Sequence, residues 1–256
     1  MRSAVLPLAG TEAGRVQLSV GAGGDTTMEV DRAAEAVVLA ELEGLAQRGE
    51  RFSVLSEESG RRSFGADYPL VLVDPVDGSL NAKQGIPMFG LMLAVLDGPS
   101  VADTYAGLVL NLNTGEEWTA IRKQGAWRSD EKLAVLPRSD NRRIQLLGLE
   151  STPLALALAG PLVERASKIR ILGSMALALA HTASGGLDVF CAPISVRVFD
   201  TAASLLLLRE AGGVVTDMQG RPVDGLPCTL DSRSTLLCAS NVGLHAEALR
   251  ILGGNP

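Results

Sequence analysis

The hexapeptide Asp74-Pro75-Val76-Asp77-Gly78-Ser79 constrains this 256-residue chain more than any other stretch. The apolar run Pro69-Leu70-Val71-Leu72-Val73 leads into it and reads as a buried strand. Two aspartates three positions apart then stand at the strand's end. Like charges held this close repel, and each favours its protonated form unless something positive lies between them. Pro75 fixes the backbone just after Asp74. The turn returns Asp77 beside Asp74 and leaves the Val76 carbonyl without a sheet partner, free to point at the same spot. Two carboxylates and a carbonyl make the oxygen-rich ligand set that Mg²⁺ and similar hard cations take. Gly78 and Ser79 follow with backbone N–H groups at the expected start of a helical turn, where phosphate binds. Cation ligands beside anion donors suit metal-assisted phosphoryl chemistry.

Taken alone, the string has competing readings. A surface Asx turn is the plainest. The nucleophile loop of haloacid-dehalogenase-type phosphatases needs its aspartates two apart, not three. An EF-hand loop needs ligands at alternate positions and a terminal Glu, which "DPVDGSLNAKQG" lacks. Other acids bear on the choice. Glu57 and Glu58 directly follow a short apolar strand. Asp200 stands where a helix should begin, a position an ordinary N-cap also explains. Asp31 lies near the start of a long helix, where a solvated charge is the plain alternative.

Composition removes several function classes. With 23 Lys+Arg against 29 Asp+Glu and no basic run, no nucleic-acid partner is expected. His181 and His245 are the only histidines and have no partner at zinc-ligand spacing, so a histidine-based centre is not expected either. Cys191, Cys228 and Cys238 sit in apolar contexts and read as buried thiols of a reducing compartment, so the cytoplasm is the expected location. No apolar stretch approaches the ~20 residues of a membrane span, and no targeting segment is expected at the start.

Periodicity predicts a long helix over 26–49, a buried strand over 69–74, and a strand meander over 88–122. Beyond residue 137 helices and strands alternate, beginning with a helix over 152–168. That predicts an α/β class: an α+β subdomain over 1–137 carrying most metal ligands, and an α/β subdomain over 138–256, with one active site between them.

In order along the chain, "SEES", "DPVDGSLN" and "FDTAASLLLLREAGG" together resemble the inositol monophosphatase-like family of Mg²⁺-dependent phosphatases. Asp25 and Asp31 match that family's upstream acidic segment, and "RILGSMALALAHTASGGLDVF" matches a further helix and strand, so the resemblance runs from about residue 20 onward. It implies a layered αβαβα sandwich and two or three Mg²⁺ ions per subunit. Carried over by position, Glu57, Asp74 and the Val76 carbonyl hold the first ion, and Asp74, Asp77 and Asp200 the second. Asp77, Gly78, Ser79 and Ser174 contact substrate. Ser79 paired with Asp31 positions or deprotonates the attacking water, and Glu58 serves from outside, toward a weaker third ion. The implied reaction is in-line attack of metal-activated water on a small phosphomonoester, without a phosphoenzyme. The assembly implied is a homodimer, with neither nucleic acid nor membrane as partner.

The resemblance is closest to the archaeal-type branch with dual fructose-1,6-bisphosphatase and inositol-1-monophosphatase activity. Inositol-specific members carry a Glu about seven residues before the position of Asp200. Pro193 stands there, with no acid nearby in the sequence, and Phe199 replaces the family's Trp. Arg197 fits the dual-specificity branch, Arg170 is placed to reach a second phosphate or a subunit interface, and the two together are expected to favour a bisphosphate; surface charge is the alternative for both. A lysine common before the Asp25 position is missing. The rival within the family is a 3′-phosphoadenosine 5′-phosphate phosphatase, which needs an aromatic-lined base site. Outside the enzyme class, the rivals are a catalytically silent homologue acting as a binding module and a structural metalloprotein.

Overall fold

The apolar runs become two stacked sheets between three helical layers in a computed structural model that describes residues 1–134 and 143–253. The boundary expected between residues 137 and 138 lies outside the described residues. The chain opens with α1 (Arg2–Val5), the antiparallel strands β1 (Gln17–Val20) and β2 (Thr26–Met28), and the long helix α2 (Glu29–Gln47). Next come β3 (Ser53–Ser56), β4 (Gly60–Ser63), β5 (Leu70–Asp77), α3 (Ser79–Gln84), β6 (Gly90–Leu96) and β7 (Thr104–Asn111). Then follow β8 (Glu117–Ile121), β9 (Gly125–Arg128) and β10 (Glu131–Lys132). These make an eight-stranded sheet in the order β10-β9-β8-β7-β6-β5-β3-β4. Only β3 and β5 pair parallel.

The second half contributes β11 (Leu146–Leu149), α4 (Gly160–Arg165), β12 (Lys168–Arg170), α5 (Met175–Ala183), β13 (Val189–Arg197) and α6 (Ala202–Glu210). It closes with β14 (Val214–Thr216), β15 (Arg233–Ala239) and α7 (Val242–Ile251). Its five-stranded sheet has the order β12-β11-β13-β15-β14, parallel through β12, β11 and β13 and antiparallel at β15 and β14.

Three apolar cores hold the layers together. Val30, Ala34, Val38 and Leu42 recur at helical spacing on α2 and meet Val54, Val73 and Leu91 of the first sheet. The opposite face of that sheet, through Leu70, Leu72 and Met92, packs on α5 and α6, which also cover Phe190, Ala192 and Leu236 of the second sheet. The outer face of the second sheet, through Leu147, Val189, Cys191 and Leu237, meets Leu162 of α4 and Leu244 and Ala248 of α7. Each such aliphatic side chain stabilises by roughly 1.5–3 kcal/mol when fully buried. The layering is therefore αβαβα. It explains why the run before Asp74 is continuously apolar: β5 is covered on both faces, Leu70 and Leu72 on one and Val73 on the other.

Local departures have local causes. Thr26–Met28, expected as the first turn of the long helix, pairs with β1 instead, and α2 starts at Glu29. The helix expected over 152–168 is a 3₁₀ turn (Leu156–Ala159) followed by the short α4. Pro161 is tolerated only in a helix's first turn, so a new helix begins there. Among the described residues no helix is long and apolar enough to cross a membrane.

Candidate active site

The parallel pairing of β3 with β5 sets Ser56 opposite Val73, so Glu57, just past β3, comes beside Asp74. Asp74 lies within β5 rather than at the strand end expected from the sequence, because pairing with β6 resumes at Asp77. The Glu57 amide extends this ladder by donating to the Val73 carbonyl at 3.1 Å. On its other edge β5 shifts register between Asp74 and Asp77. Within that irregularity the Val76 amide donates to Asp74 Oδ1 at 3.1 Å, and the Val76 carbonyl accepts the Ser79 hydroxyl at 3.0 Å. Asp200 arrives from a 3₁₀ turn (Phe199–Thr201) ahead of α6. One carboxylate oxygen from each of Glu57, Asp74 and Asp200 lies within 4.8 Å of the others, and all three residues are buried. Asp200 Oδ1 is buried without a hydrogen-bond partner. Buried charges require a partner, so this donor set fits a cation.

Asp77 is placed differently. Its carboxylate accepts the Ser174 hydroxyl and the amides of Ala176 (2.9 Å) and Met175 (3.2 Å), at the N-terminus of α5. Ser174 is itself buried and accepts the Leu177 amide at 3.3 Å as the N-cap of α5. Gly78 has a left-handed φ of 91°. A Cβ there would meet the Gly173 carbonyl at 2.9 Å and the Met88 carbonyl at 3.1 Å, so only glycine lets the chain turn into α3.

Two plain readings fail. Asp31 is not a solvated charge: it is 1% exposed, its Oδ2 accepts the Met28 amide at 2.9 Å, and its Oδ1 is buried without a partner. Nor does Asp200 cap a helix: the capping position of α6 is Thr201, and Asp200 Oδ2 accepts Arg197 Nε at 2.8 Å. Glu58 accepts the Thr27 hydroxyl from β2, a contact hidden in sequence because β2 was read as helix.

The arginines also move from their expected places. Arg197 is not surface charge: it faces the acidic cluster, and each of its three guanidinium nitrogens is ion-paired. Besides Asp200, its guanidinium binds Glu57, Asp25 Oδ2 at 3.1 Å and the Gly23 carbonyl at 3.2 Å, making it the counter-charge inside the acidic cluster. Arg170 is exposed on β12 with Nη1 on the Ile169 carbonyl at 2.8 Å, away from the cavity wall. That cavity, of about 780 Å³, is lined by Asp31, Glu57, Glu58, Asp74, Asp77, Gly78, Ser79 and Asp200. Glu150 and Arg233 line it too. Neither lies in a motif, and only strand pairing delivers them.

Burial raises the carboxylates of the cluster. It lifts Asp77 to about 6 and Asp200 to about 7, with Glu57 adding repulsion to both. Asp31 rises to about 6 and Glu58 to about 7, again mainly through burial, against hydrogen bonds from the Met28 amide and the Thr27 hydroxyl respectively. Asp74 rises well above the ordinary range through burial and the charges of Glu57, Asp77 and Asp200. Raised carboxylates hold protons in the folded state at pH values where the unfolded chain has released them. Folding stability therefore falls as pH rises from about 4 to about 7. Lowered groups such as Asp103 have their full stabilising effect above about pH 4 and add no slope in this window. In EDTA the melting temperature is expected to fall between about pH 5 and pH 8, and Mg²⁺ to raise it more at the higher pH. A metal-free melting temperature that is flat or rising across that range contradicts this account.

A layered αβαβα sandwich with clustered buried carboxylates, facing a glycine-hinged helix start, defines a class of metal-dependent phosphatases. The chain belongs to the inositol monophosphatase family, whose profile matches residues 7–252. Members of that family hydrolyse phosphomonoesters and in general use Mg²⁺. The chain is 34% identical to a fructose-1,6-bisphosphatase/inositol-1-monophosphatase of Methanothermobacter thermautotrophicus, over 97% of this chain and 91% of that protein. It is 29% identical to a bifunctional NADP phosphatase/NAD kinase of Methanococcus maripaludis, over 99% of this chain but 47% of that protein. Among solved structures, a Pyrococcus horikoshii protein with similarities to inositol-1 monophosphatase superposes with a TM-score of 0.80 at 27% identity, covering 97% of this chain and 92% of that one.

Proposed function

We propose that this protein is a Mg²⁺-dependent hydrolase of small sugar and polyol phosphates, fructose 1,6-bisphosphate and inositol 1-phosphate among them. The observation that carries the reading is the buried Glu57–Asp74–Asp200 trio within 4.8 Å, in one cavity with Gly78 and Ser79. Glu57, Asp74 and the Val76 carbonyl would hold one Mg²⁺; Asp74, Asp77 and Asp200 a second; Glu58 serves a third. Bound Mg²⁺ supplies Lewis acidity at the phosphoryl oxygens and lowers the pKa of water. The amides of Gly78 and Ser79 orient the phosphate. The Ser79 hydroxyl and Asp31 orient the attacking water opposite the leaving alcohol and take its proton, with no phosphoenzyme.

Arg233 supports a bisphosphate. It sits opposite Arg197 in the β13–β15 pairing and lines both the catalytic cavity and an adjoining one of about 480 Å³. It takes the place at the second phosphate that the sequence assigned to Arg170 and Arg197. A nucleotide substrate needs an aromatic-lined base site, and no Phe, Tyr or Trp among the described residues lines the cavity. Assembly as a homodimer in the cytoplasm accompanies this reading, supported by exposed Ile169 on edge strand β12 and by three buried free cysteines.

Phosphate release with Mg²⁺ from fructose 1,6-bisphosphate, inositol 1-phosphate, 3′-phosphoadenosine 5′-phosphate and NADP tests the reading. Fructose 1,6-bisphosphate is expected to turn over at least as well as inositol 1-phosphate, and both far better than either nucleotide. Nucleotide preference would overturn the substrate class. No turnover of any phosphomonoester would leave a silent homologue or a structural metalloprotein.

A further inference from the structure

β11 runs parallel to β13 with Leu149 opposite Cys191. The ladder continues one residue further, the Glu150 amide donating to the Cys191 carbonyl at 3.1 Å. Glu150 is thereby fixed one strand over from Ala192 and Pro193, the stretch of β13 that has no acid of its own. Just beyond this point β13 breaks register against β15, between Ala192 and Val196. The Glu150 side chain is half-buried and lines the same catalytic cavity as Asp77, Gly78 and Ser79. No described residue hydrogen-bonds or ion-pairs with its carboxylate. Burial, then the charge of Asp77, pushes that carboxyl above its ordinary value.

A half-buried carboxylate without a donor is unfavourable, so its place on the cavity wall calls for a donor from the ligand. The ligand's phosphate is the wrong group, being repelled. The cavity's buried arginine, Arg197, is already held by Asp25, Glu57 and Asp200. Alcohol hydroxyls fit: a carboxylate accepts two O–H groups from adjacent carbons at once, through charge-assisted bonds. We propose that Glu150 is a specificity residue of this cavity, accepting hydrogen bonds from hydroxyls of a sugar or polyol phosphate whose phosphate rests on Gly78 and Ser79. The assignment rests on the function proposed above. It places the hydroxyl-reading acid directly after β11 rather than on β13.

The test measures kcat, KM and the Mg²⁺ half-saturation of wild type, Glu150→Ala and Glu150→Asp. The substrates are inositol 1-phosphate, fructose 1,6-bisphosphate and 4-nitrophenyl phosphate, the last with no alcohol hydroxyl. Glu150→Ala is expected to raise KM for the two hydroxylated substrates by about tenfold to a hundredfold, the range for losing hydrogen bonds to a charged group. It should leave 4-nitrophenyl phosphate and the Mg²⁺ requirement unchanged, and Glu150→Asp should restore part of the loss. Equal losses on all three substrates, a shifted Mg²⁺ requirement, or no loss on the hydroxylated pair would overturn the assignment while leaving the proposed function standing. Wild-type turnover of 4-nitrophenyl phosphate with neither hydroxylated substrate accepted would instead overturn the proposed function, and the assignment with it.

Discussion

Asp74→Asn is expected to cut Mg²⁺-dependent phosphate release by about 10²–10³-fold or more, while raising the melting temperature of the metal-free protein. Asp74 belongs to the buried trio and is assigned to both principal metal positions. Metal-supplied charge stabilisation is worth several kcal/mol in the transition state, and each ~1.4 kcal/mol is tenfold in rate. The opposite sign in stability follows from the same burial. Asp74 is pushed up by burial and by Glu57, Asp77 and Asp200, with Arg197 the one charge that opposes them. A neutral amide removes that repulsion. The asparagine oxygen can still accept the Val76 amide now held at 3.1 Å, so the turn survives. Asp77→Asn is a less clean probe of the metal positions. Asp77 accepts the Ser174 hydroxyl and two amides at the start of α5, so its loss is expected to loosen that helix as well. Phosphate release, Mg²⁺ titration and thermal melts in EDTA measure all three effects; full activity of Asp74→Asn, or of wild type in EDTA, would end the metal hypothesis.

Ser79→Ala and Asp31→Asn are each expected to lower kcat by ~10²–10⁴-fold with little change in KM, the range for losing a positioned proton acceptor. Alanine keeps the Ser79 amide, so ground-state phosphate binding persists. Asp31 has one oxygen on the Met28 amide and the other buried without a partner; burial raises its carboxyl to about 6, and the nearby Ser79 hydroxyl only partly offsets that rise. A proton leaving water thus has a hydroxyl and then a vacant carboxylate oxygen to reach. Because the two act in one relay, the double variant should be little worse than either single one. If Ser79 only ties the turn to the Val76 carbonyl and Asp31 only caps α2, kcat stays near wild type, and the losses appear in melting temperature and add.

The parts of the site that backbone rules could place without the family resemblance share one property: their geometry is local. Asp74, Pro75, Val76, Asp77, Gly78 and Ser79 form their own bulge and turn within six residues, so backbone rules alone place two carboxylates, a carbonyl and a helix start together. The continuous apolar run of β5 likewise announces a strand covered on both faces. Short-range steric rules fail where a residue's role depends on its cross-strand neighbour. Thr26–Met28 joined β1 rather than α2 because pairing overrode helical periodicity. Glu57 meets Asp74 because β3 lies parallel to β5, and Glu150 enters the cavity because β11 lies parallel to β13. Arg197, read from the sequence as a mark of the dual-specificity branch, is also the counter-ion of neighbouring Asp200 and of two carboxylates from distant segments, Asp25 and Glu57. A carboxylate's charge is set by its residue type. Its partner, burial and protonation are set by which strands the folded chain lays side by side, and no short-range rule encodes that.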